Sequence, residues 1–278
     1  MKILITGADG MLGWDLNRVL SENHEMILTD IPSLDITDLN QVKSYINRYK
    51  PDIIINSAAF TDVDGCESKE KLAYEVNSIG PKNLAIASRE INSKLIHIST
   101  DYVFNGENDK PYIESDETGP INVYGETKLQ GEELIRNTFD NHVILRTSWL
   151  YGINGNNFVK TMLELSKSHD EISVVDDQRG SPTYTNDLAI AISELLENDY
   201  HGTYHLTNSE NCSWFEFAKE IFEISNIEVD VKPVVTDEFP RPAKRPKYSV
   251  LNNQKWKKSG LTPLRSYKEA LNDFLINL

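Results

Sequence analysis

The stretch "KILITGADGMLGWDLNRVL", residues 2–20, decides the fold class of this chain. It begins with a short apolar run typical of a buried strand, passes through three glycines, and continues as a helix. Glycines permit a tight turn and a close approach of the backbone to a pyrophosphate, and the following helix offers free N–H groups to an anion. The pattern predicts dinucleotide binding, with a purely structural turn as the alternative. The predicted cofactor contacts here are Gly7, Gly10, Met11, Leu12 and Gly13.

Outward from this stretch, apolar runs alternate with segments of helical period through the first 150 residues. Helices are expected between the strands, one capped by Asp38 and one interrupted at Gly80-Pro81. Continuous apolar strands separated by helices predict an α/β fold, a Rossmann-like doubly wound parallel sheet covered on both faces. After the first strand, the predicted strands cover residues 24–30, 52–59, 94–100 and 142–150.

The regular alternation of strand and helix patterns ends after residue 150, which indicates a smaller, discontinuous C-terminal substrate-binding domain. A helix starting at Asn186 or Asp187, with one of the two as its N-cap, and a strand after it are expected to return to the main sheet. We therefore predict a dinucleotide-binding domain of residues 1–150 plus about 186–206. The substrate-binding part covers about 151–185 and 207–278.

Composition excludes several classes of function. The 278 residues carry a formal net charge of −15, so the surface repels nucleic acids and anionic membranes. Cys66 and Cys212 lie far apart and read as reduced thiols, and the six histidines show no ligand spacing for zinc. The apolar run at the N-terminus is too short for a signal peptide, and no stretch is long enough to span a membrane. A cytoplasmic protein is expected.

Acidic and small residues follow the next strands. Asp30 ends the second strand, where an acid can bind the adenosine ribose and repel a 2′-phosphate; it favours NADH over NADPH, unless it is only a turn residue. Asp35 and Ile36 are expected near the adenine.

The small residues Ala58 and Ala59 would let a flat cofactor lie across the sheet edge, although close strand–helix packing also requires small residues. Further contacts are predicted from Phe60 and Thr61 to the cofactor, and from Thr61 and Val63 to the substrate.

Three polar side chains are candidates for chemistry. Tyr124 and Lys128 stand four residues apart and share one helix face. Thr100 ends the fourth strand, and ligands of open parallel sheets bind outside the carboxyl ends of strands. Taken singly, an ordinary amphipathic helix and a turn threonine remain alternatives.

Together, Thr100, Tyr124 and Lys128 resemble the catalytic trio of the extended short-chain dehydrogenase/reductase family, with its Y-x-x-x-K signature. Within that family, the chain is similar to the dTDP-4-dehydrorhamnose reductases over nearly its whole length. The segments that carry this similarity are "STDYVF", "NVYGETKLQGE", "RTSWLYG", "NNFVKTM", "DQRGSPT" and "RPAKRPKYSVL".

The resemblance implies a mechanism. NADPH or NADH delivers a hydride to the C4 ketone of dTDP-4-dehydro-β-L-rhamnose, and the product is dTDP-L-rhamnose. Tyr124 donates the proton, Lys128 stabilises the phenolate and holds the nicotinamide ribose, and Thr100 hydrogen-bonds the same oxygen. Asn77 is expected to support this site through water.

The resemblance also implies substrate contacts. Asp101 and Tyr102 would contact the sugar hydroxyls, and Trp149 would pack on the sugar. Arg245 would bind the nucleotide diphosphate, in a local basic segment with Arg241, Lys244 and Lys247; a solvated loop held by prolines is the alternative.

Some relatives bridge a homodimer through magnesium held by glutamates, and Asp15 stands where one such glutamate would be. A dimer is possible, and no metal is implied by the residues. Two other functions remain open: a related nucleotide-sugar epimerase or dehydratase, and a non-catalytic regulatory subunit like that of methionine adenosyltransferase. Tyr102 after Asp101 fits a dehydratase poorly, since a glutamate is often found there, and the intact trio disfavours a binding module.

Overall fold

The structure is a computed structural model that describes residues 1–278. Its centre is a six-stranded sheet in which every neighbouring pair is parallel. The strands are β1 (Lys2–Thr6), β2 (Glu25–Thr29), β3 (Ile53–Asn56), β4 (Lys94–Thr100), β5 (His142–Thr147) and β10 (Gly202–His205). Their order across the sheet is β10-β5-β4-β3-β1-β2, so the chain reverses its direction of travel between β1 and β3. In such sheets ligands bind at this switch point.

Seven helices accompany the sheet: α1 (Met11–Leu20), α2 (Leu39–Tyr49), α3 (Val63–Ser68), α4 (Glu70–Tyr74), α5 (Gly80–Ile91), α6 (Val123–Arg136) and α8 (Thr185–Leu195). Because side chains alternate along a strand, Ile3 and Ile5 pack with α1 and α8 on one face, while Leu4 packs with α2, α5 and α6 on the other. Both faces are covered, which confirms the predicted doubly wound sheet.

A second apolar core lies outside this sheet and is rich in aromatic residues, among them Phe217 and Phe274. Trp256 belongs to the predicted substrate-binding part, but its side chain packs into the core of the main sheet and not into this second core. The helices of this part are α7 (Phe158–Leu165), α9 (Trp214–Ser225), α10 (Gln254–Lys258) and α11 (Tyr267–Ile276). Short strands pair around them: β6 (Leu150–Tyr151) with β9 (Thr183–Tyr184), β7 (Glu171–Val175) with β12 (Asp230–Val234), and β8 (Arg179–Gly180) with β11 (Cys212–Ser213).

Of the two predicted helix N-caps, one is confirmed and one is wrong. Asp38 caps α2, accepting hydrogen bonds from the backbone N–H groups of Asn40 and Gln41. The predicted N-cap of α8 is wrong, since this helix begins at Thr185. Asp187 lies inside the first turn, and its carboxylate accepts hydrogen bonds from Arg265, 78 residues away in the chain.

The expected break at Gly80-Pro81 is displaced. A π-helical turn, Glu75–Ile79, precedes Gly80, and α5 then begins at Gly80 itself. The backbone stays helical through this junction, so Pro81 removes one N–H from a continuous helical segment at the point where the π-helical turn passes into α5. No helix in the chain is both long enough and apolar enough to cross a bilayer.

The packing of α1 on the glycine turn yields a stability prediction. A Cβ on Gly13 would lie 2.2 Å from the carbonyl oxygen of Gly7 and 2.7 Å from Cα of Ala8. Overpacking in Gly13→Ala should therefore lower the free energy of unfolding by about 1–3 kcal/mol. The higher helix propensity of alanine would by itself raise the free energy of unfolding by ~1 kcal/mol, and we expect the overpacking to outweigh it. Urea denaturation measures the change.

The control for this prediction is Gly119→Ala, because a Cβ there meets its nearest atom, Cβ of Asn105, at an ordinary 3.7 Å. Its effect should stay within about 0.5 kcal/mol. Equal stability of the Gly13 and Gly119 variants would contradict the described contact.

Candidate active site

A cleft of about 590 Å³ opens at the carboxyl ends of the central strands. It brings together residues from the glycine turn, the ends of β2, β3, β4 and β5, and the start of α6. The predicted site residues that line it are Gly7, Gly10, Met11, Leu12, Asp30, Asp35, Ile36, Ala58, Ala59, Thr61, Val63, Thr100, Asp101, Tyr102, Tyr124, Lys128 and Trp149. The three that do not are Gly13, Phe60 and Arg245.

The glycine turn forms one wall of the cleft. Gly7 has a φ of +70°, and a Cβ there would lie 2.6 Å from the backbone nitrogen of Ala58. Gly10 occupies the N-cap position of α1, and no side chain there accepts a hydrogen bond from the first helical turn. The N–H groups of the first helical turn are thus available to an anion in the cleft, where the helix dipole also favours negative charge.

Acidic residues line the cleft beside the glycine turn. The Asp30 carboxylate accepts hydrogen bonds from the backbone N–H groups of Asp9 at 3.2 Å and Ile31 at 2.9 Å. Asp35 lines the same region, and Lys128, which follows on α6, is the one lysine or arginine among the lining residues. Apart from Lys128, no lysine or arginine lines the cleft that Asp30 lines.

Tyr124 and Lys128 are presented by α6, whose N-cap Asn122 accepts a hydrogen bond from Gly125 N–H at 2.8 Å. Burial raises the pKa of Tyr124, and a hydrogen bond with the side chain of Thr100 acts in the opposite direction. The phenol is therefore held in its protonated form at neutral pH. The Thr100 hydroxyl also accepts from Tyr102 N–H at 3.2 Å, which orients it at the end of β4.

Lys128 is 2% exposed and its ammonium donates to the carbonyl oxygen of Ile98 at 2.6 Å. Burial lowers the pKa of Lys128 to about 8, although the charge of Glu132 works against this shift. Because this pKa stays above 7, the side chain is mainly a cation at neutral pH.

Behind Lys128 lies a buried ionic group that sequence reasoning missed. Glu132, fully buried one turn further along α6, is bound by the Arg146 guanidinium of β5 through Nε at 2.9 Å and Nη2 at 2.7 Å. It also accepts from Ser99 Oγ at 2.5 Å and Arg136 Nη2 at 2.6 Å. The paired charges hold its pKa below the usual range despite burial. This ionic group fixes α6 against β4 and β5. The only sign of it in the sequence was an acidic residue four positions after Lys128, on the same helix face.

Asn77 also supports α6, but by direct contact. Its side chain accepts from Phe60 N–H at 2.8 Å and donates to Phe60 O at 3.0 Å and Thr127 Oγ1 at 3.3 Å. Asn77 is fully buried in the π-helical turn. The residue thus ties the segment after β3 to the helix that carries Tyr124.

Trp149 lines the cleft with one ring face covered. It stacks on Trp214, with ring centroids 3.5 Å apart and planes 6° from parallel. The backbone of Gly180 also packs closely against this indole, since a Cβ there would lie 2.5 Å from the ring-fusion atom Cε2. Trp214, which also lines the cleft, was not predicted because it belongs to the distant helix α9.

Arg245 is engaged outside the lining of the cleft. Its guanidinium donates to Asp64 Oδ1 at 2.9 Å and to Ala243 O at 2.6 Å. Arg241 lies 3.8 Å from the other oxygen of the same carboxylate. These pairs lower the pKa of Asp64 although burial acts to raise it. The basic segment is thus attached to α3, next to Val63 of the cleft.

Asp15 is fully buried within the chain. Its carboxylate accepts from Thr185 Oγ1 at 2.6 Å and from Arg18 at 3.2 Å. The carboxylate that was compared with a bridging glutamate therefore joins α1 to α8. No group of three or more His, Cys, Asp or Glu side chains in the chain is arranged to hold a metal ion.

Comparison with known proteins gives consistent matches over the full length. The family model described as the RmlD substrate binding domain matches residues 1–278. The spore coat polysaccharide biosynthesis protein SpsK of Bacillus subtilis is 46% identical over 275 residues, which cover 99% of this chain and 96% of that protein.

Two solved structures of dTDP-4-dehydrorhamnose reductases are closely similar. The enzyme of Clostridium acetobutylicum is 48% identical, with a TM-score of 0.97 and complete coverage of both chains. The enzyme of Bacillus anthracis, solved in complex with NADP, is 45% identical, with a TM-score of 0.98 over 100% of this chain and 99% of that one.

The buried ionic group generates a second stability prediction. Glu132→Ala leaves the Arg146 guanidinium buried without its partner, which should cost about 3–5 kcal/mol of unfolding free energy. Chemical denaturation followed by circular dichroism measures the loss. The neighbouring exposed Glu133 provides the matched control, and Glu133→Ala should change stability by no more than about 0.5 kcal/mol. Similar small effects of both substitutions would show that Glu132 does not join α6 to the sheet.

Proposed function

The chain belongs to the family of the RmlD substrate binding domain, and from this membership and the cleft we propose that it is a dTDP-4-dehydrorhamnose reductase. The reaction is the reduction of the C4 ketone of dTDP-4-dehydro-β-L-rhamnose to dTDP-L-rhamnose with NADH or NADPH. The observation that carries the proposal is that Thr100, Tyr124 and Lys128 line the same cleft as the glycine turn. The names of the similar proteins support the substrate class.

The residues present fit a nicotinamide dinucleotide. The close approach of Gly7 to Ala58 leaves no room for a side chain and keeps the turn open to a pyrophosphate. The first turn of α1 then offers N–H donors to the phosphates. When bound, the reduced nicotinamide supplies a hydride to the ketone carbon.

The proton is supplied by the protein. Negative charge develops on the ketone oxygen during reduction, and a positioned acid that protonates this oxygen lowers the barrier. Tyr124 is that acid, because burial keeps its phenol protonated at neutral pH. Thr100 donates a hydrogen bond to the same oxygen. The Lys128 ammonium stabilises the phenolate that remains and binds the nicotinamide ribose, exchanging its contact with the Ile98 carbonyl for these partners.

The sugar and the diphosphate are assigned to the opposite end of the cleft. Thr61, Val63, Asp101 and Tyr102 are proposed to contact the sugar. Trp149, one ring face of which is covered by Trp214, is proposed to pack on the sugar. Arg245, 17% exposed at its side chain and paired with Asp64, is proposed to bind the diphosphate, since a guanidinium can bind two phosphate oxygens at once. Phe60, whose backbone is held by Asn77, remains a proposed cofactor contact. A homodimer stays a prediction.

For cofactor preference we propose NADH. A 2′-phosphate beside Asp30 would meet a carboxylate, and like charges repel; apart from Lys128, no lysine or arginine lines the cleft. The Bacillus anthracis relative was solved with NADP, so a preference and not an exclusion is expected.

Tyr124→Phe tests the assigned acid. The substitution removes only the hydroxyl, so kcat should fall about 10²–10⁴-fold while NADH still binds. NADH oxidation with enzymatically generated dTDP-4-keto-6-deoxy sugar, followed by product identification, measures the rate, and quenching of protein fluorescence measures NADH binding. The control is Tyr74→Phe, at an exposed tyrosine, which should keep full activity. Near-normal turnover by the Tyr124 variant would remove the tyrosine from the mechanism.

Asp30→Ala tests the cofactor assignment. Removal of the carboxylate should raise kcat/KM with NADPH relative to NADH, because the repulsion of the 2′-phosphate is lost. The ratio of the two kcat/KM values is the measurement. Asp52→Ala, at an exposed carboxylate that binds Lys2 N–H, is the control and should leave the ratio unchanged. A ratio unaltered by Asp30→Ala would exclude Asp30 from cofactor selection.

A further inference from the structure

The arginine assigned to the diphosphate is held from one side by a carboxylate that has no role in the proposed reaction. We propose that Asp64 of α3 is a positioning residue. Its carboxylate anchors one nitrogen of the Arg245 guanidinium and so presents the opposite edge of that guanidinium to the diphosphate of the nucleotide sugar. This inference rests on the proposed function and deepens it, since it names the residue through which a distant segment of the chain is built into a diphosphate site.

Asp64 binds the segment around Arg245 at two points. Its Oδ1 accepts hydrogen bonds from Arg245 Nη1 at 2.9 Å and from the backbone N–H of Ala243 at 3.1 Å. The same Nη1 group donates to the carbonyl oxygen of Ala243 at 2.6 Å. The side chain and the backbone of the segment are therefore fixed to one carboxylate oxygen.

Only one of the three guanidinium nitrogens of Arg245 is occupied. Its Nε and Nη2 make no hydrogen bond within the chain and, unlike Arg146 Nη1, neither is sealed from solvent. The N–H groups of Nε and Nη2 point the same way, and such a fork binds two oxygens of one anion. Arg146 binds the Glu132 carboxylate through this same pair of nitrogens. The free edge of Arg245 is thus the one suited to a phosphate.

The anchored segment lies beside the cleft. Asp64 directly follows Val63, which lines the cleft. The carbonyl oxygen of Lys244 accepts a hydrogen bond from Asn122 Nδ2 at 2.7 Å, and Asn122 is the N-cap of α6, the helix that carries the proton donor. Arg245 is therefore held between the starts of two helices that both contribute lining residues.

Two opposing effects decide whether Asp64 helps or hinders an anion. Its negative charge repels a diphosphate, but Arg245 at 2.9 Å and Arg241 at 3.8 Å from its two oxygens together outweigh that charge. An unanchored arginine loses conformational freedom when it binds a ligand, which lowers affinity by about 2–10-fold. Asp64 imposes that loss during folding. Because two cations offset the carboxylate, we expect the gain from ordering to exceed the repulsion.

The test compares wild type with Asp64→Ala, using dTDP as the probe and isothermal titration calorimetry as the measurement. Kd for dTDP should rise about 2–10-fold in the variant, since Arg245 must then be ordered on binding. KM for the keto sugar should rise by a similar factor with kcat nearly unchanged, the pattern of a lost contact that is equal in ground and transition states. Kd for NADH, whose pyrophosphate is assigned to the glycine turn, should stay the same.

Two matched variants separate the hydrogen bonds from other effects of the substitution. Asp64→Asn keeps an oxygen that can accept from Arg245 and from Ala243, so it should recover most of the affinity for dTDP. Glu70→Ala removes an exposed carboxylate from the neighbouring helix α4 and should leave Kd for dTDP unchanged.

A double-mutant cycle shows whether Asp64 acts through Arg245. In the Arg245→Ala background, Asp64→Ala should have no further effect on Kd for dTDP, whereas a general structural loss would add to it. Arg245→Lys keeps the charge but cannot be anchored at one nitrogen and bind with two others. It should therefore weaken dTDP binding nearly as much as Arg245→Ala.

Nitrogen-15 NMR of the wild type tests the anchoring with Asp64 intact. The Nε–H signal of Arg245, identified by its absence in Arg245→Lys, should shift when dTDP is added, because Nε then binds a phosphate oxygen. The Nη1 protons should keep separate signals with and without dTDP, since Asp64 and the Ala243 carbonyl hold them in place.

The outcomes are distinct. An affinity for dTDP that is unchanged or higher in Asp64→Ala, additive with Arg245→Ala, or not recovered by Asp64→Asn would overturn this inference, and reduction of the keto sugar by wild type would leave the proposed function intact. A wild type that reduces no keto sugar would refute the proposed function itself. If Asp64→Ala does not fold, the NMR spectra decide, and an unshifted Nε–H signal or Nη1 protons released by dTDP would overturn the inference.

Discussion

The contact between the backbone of Gly7 and that of Ala58 is the constraint on which the site depends. The two segments follow β1 and β3, neighbouring strands between which the chain changes its direction of travel. A side chain at Gly7 would lie 2.6 Å from a backbone atom, so the strand ends could not close and α1 could not point its first turn into the cleft. Parallel strands bring all their carboxyl ends to one edge, which is why Thr100 of β4 joins the same cleft.

Burial then determines the chemistry of the groups that gather there. A low-dielectric environment penalises charge, so it favours the protonated phenol of Tyr124 and the protonated carboxyl of Asp101, and it weakens the hold of Lys128 on its proton. The same environment strengthens complete ion pairs, and Glu132 remains charged because Arg146 binds it through two nitrogens. The ionic group binds α6 on the side away from the cleft lining, whereas Tyr124 and Asp101 line the cleft.

Different parts of the chain contribute different chemistry to the cleft. Asp30 and Asp35 contribute acids from the segment after β2, and the stack of Trp149 on Trp214 contributes aromatic rings. The positive charge of Arg245 comes from a segment far along the chain and is paired with Asp64 of α3, next to Val63 of the cleft.

The sequence by itself determined the elements whose signals are local. The apolar runs, the glycine turn, the Asp38 cap and the helical spacing of Tyr124 and Lys128 each lie within a few residues, so periodicity and turn chemistry identify them. Only the tertiary structure decided which distant residues meet. Asp187 of α8 is bound by Arg265, Trp149 stacks on Trp214, and Asn77 binds the backbone of Phe60. The Asp101 carboxyl is buried only in the folded chain. A sequence pattern records the period of one segment, whereas burial and pairing depend on what another segment places against it.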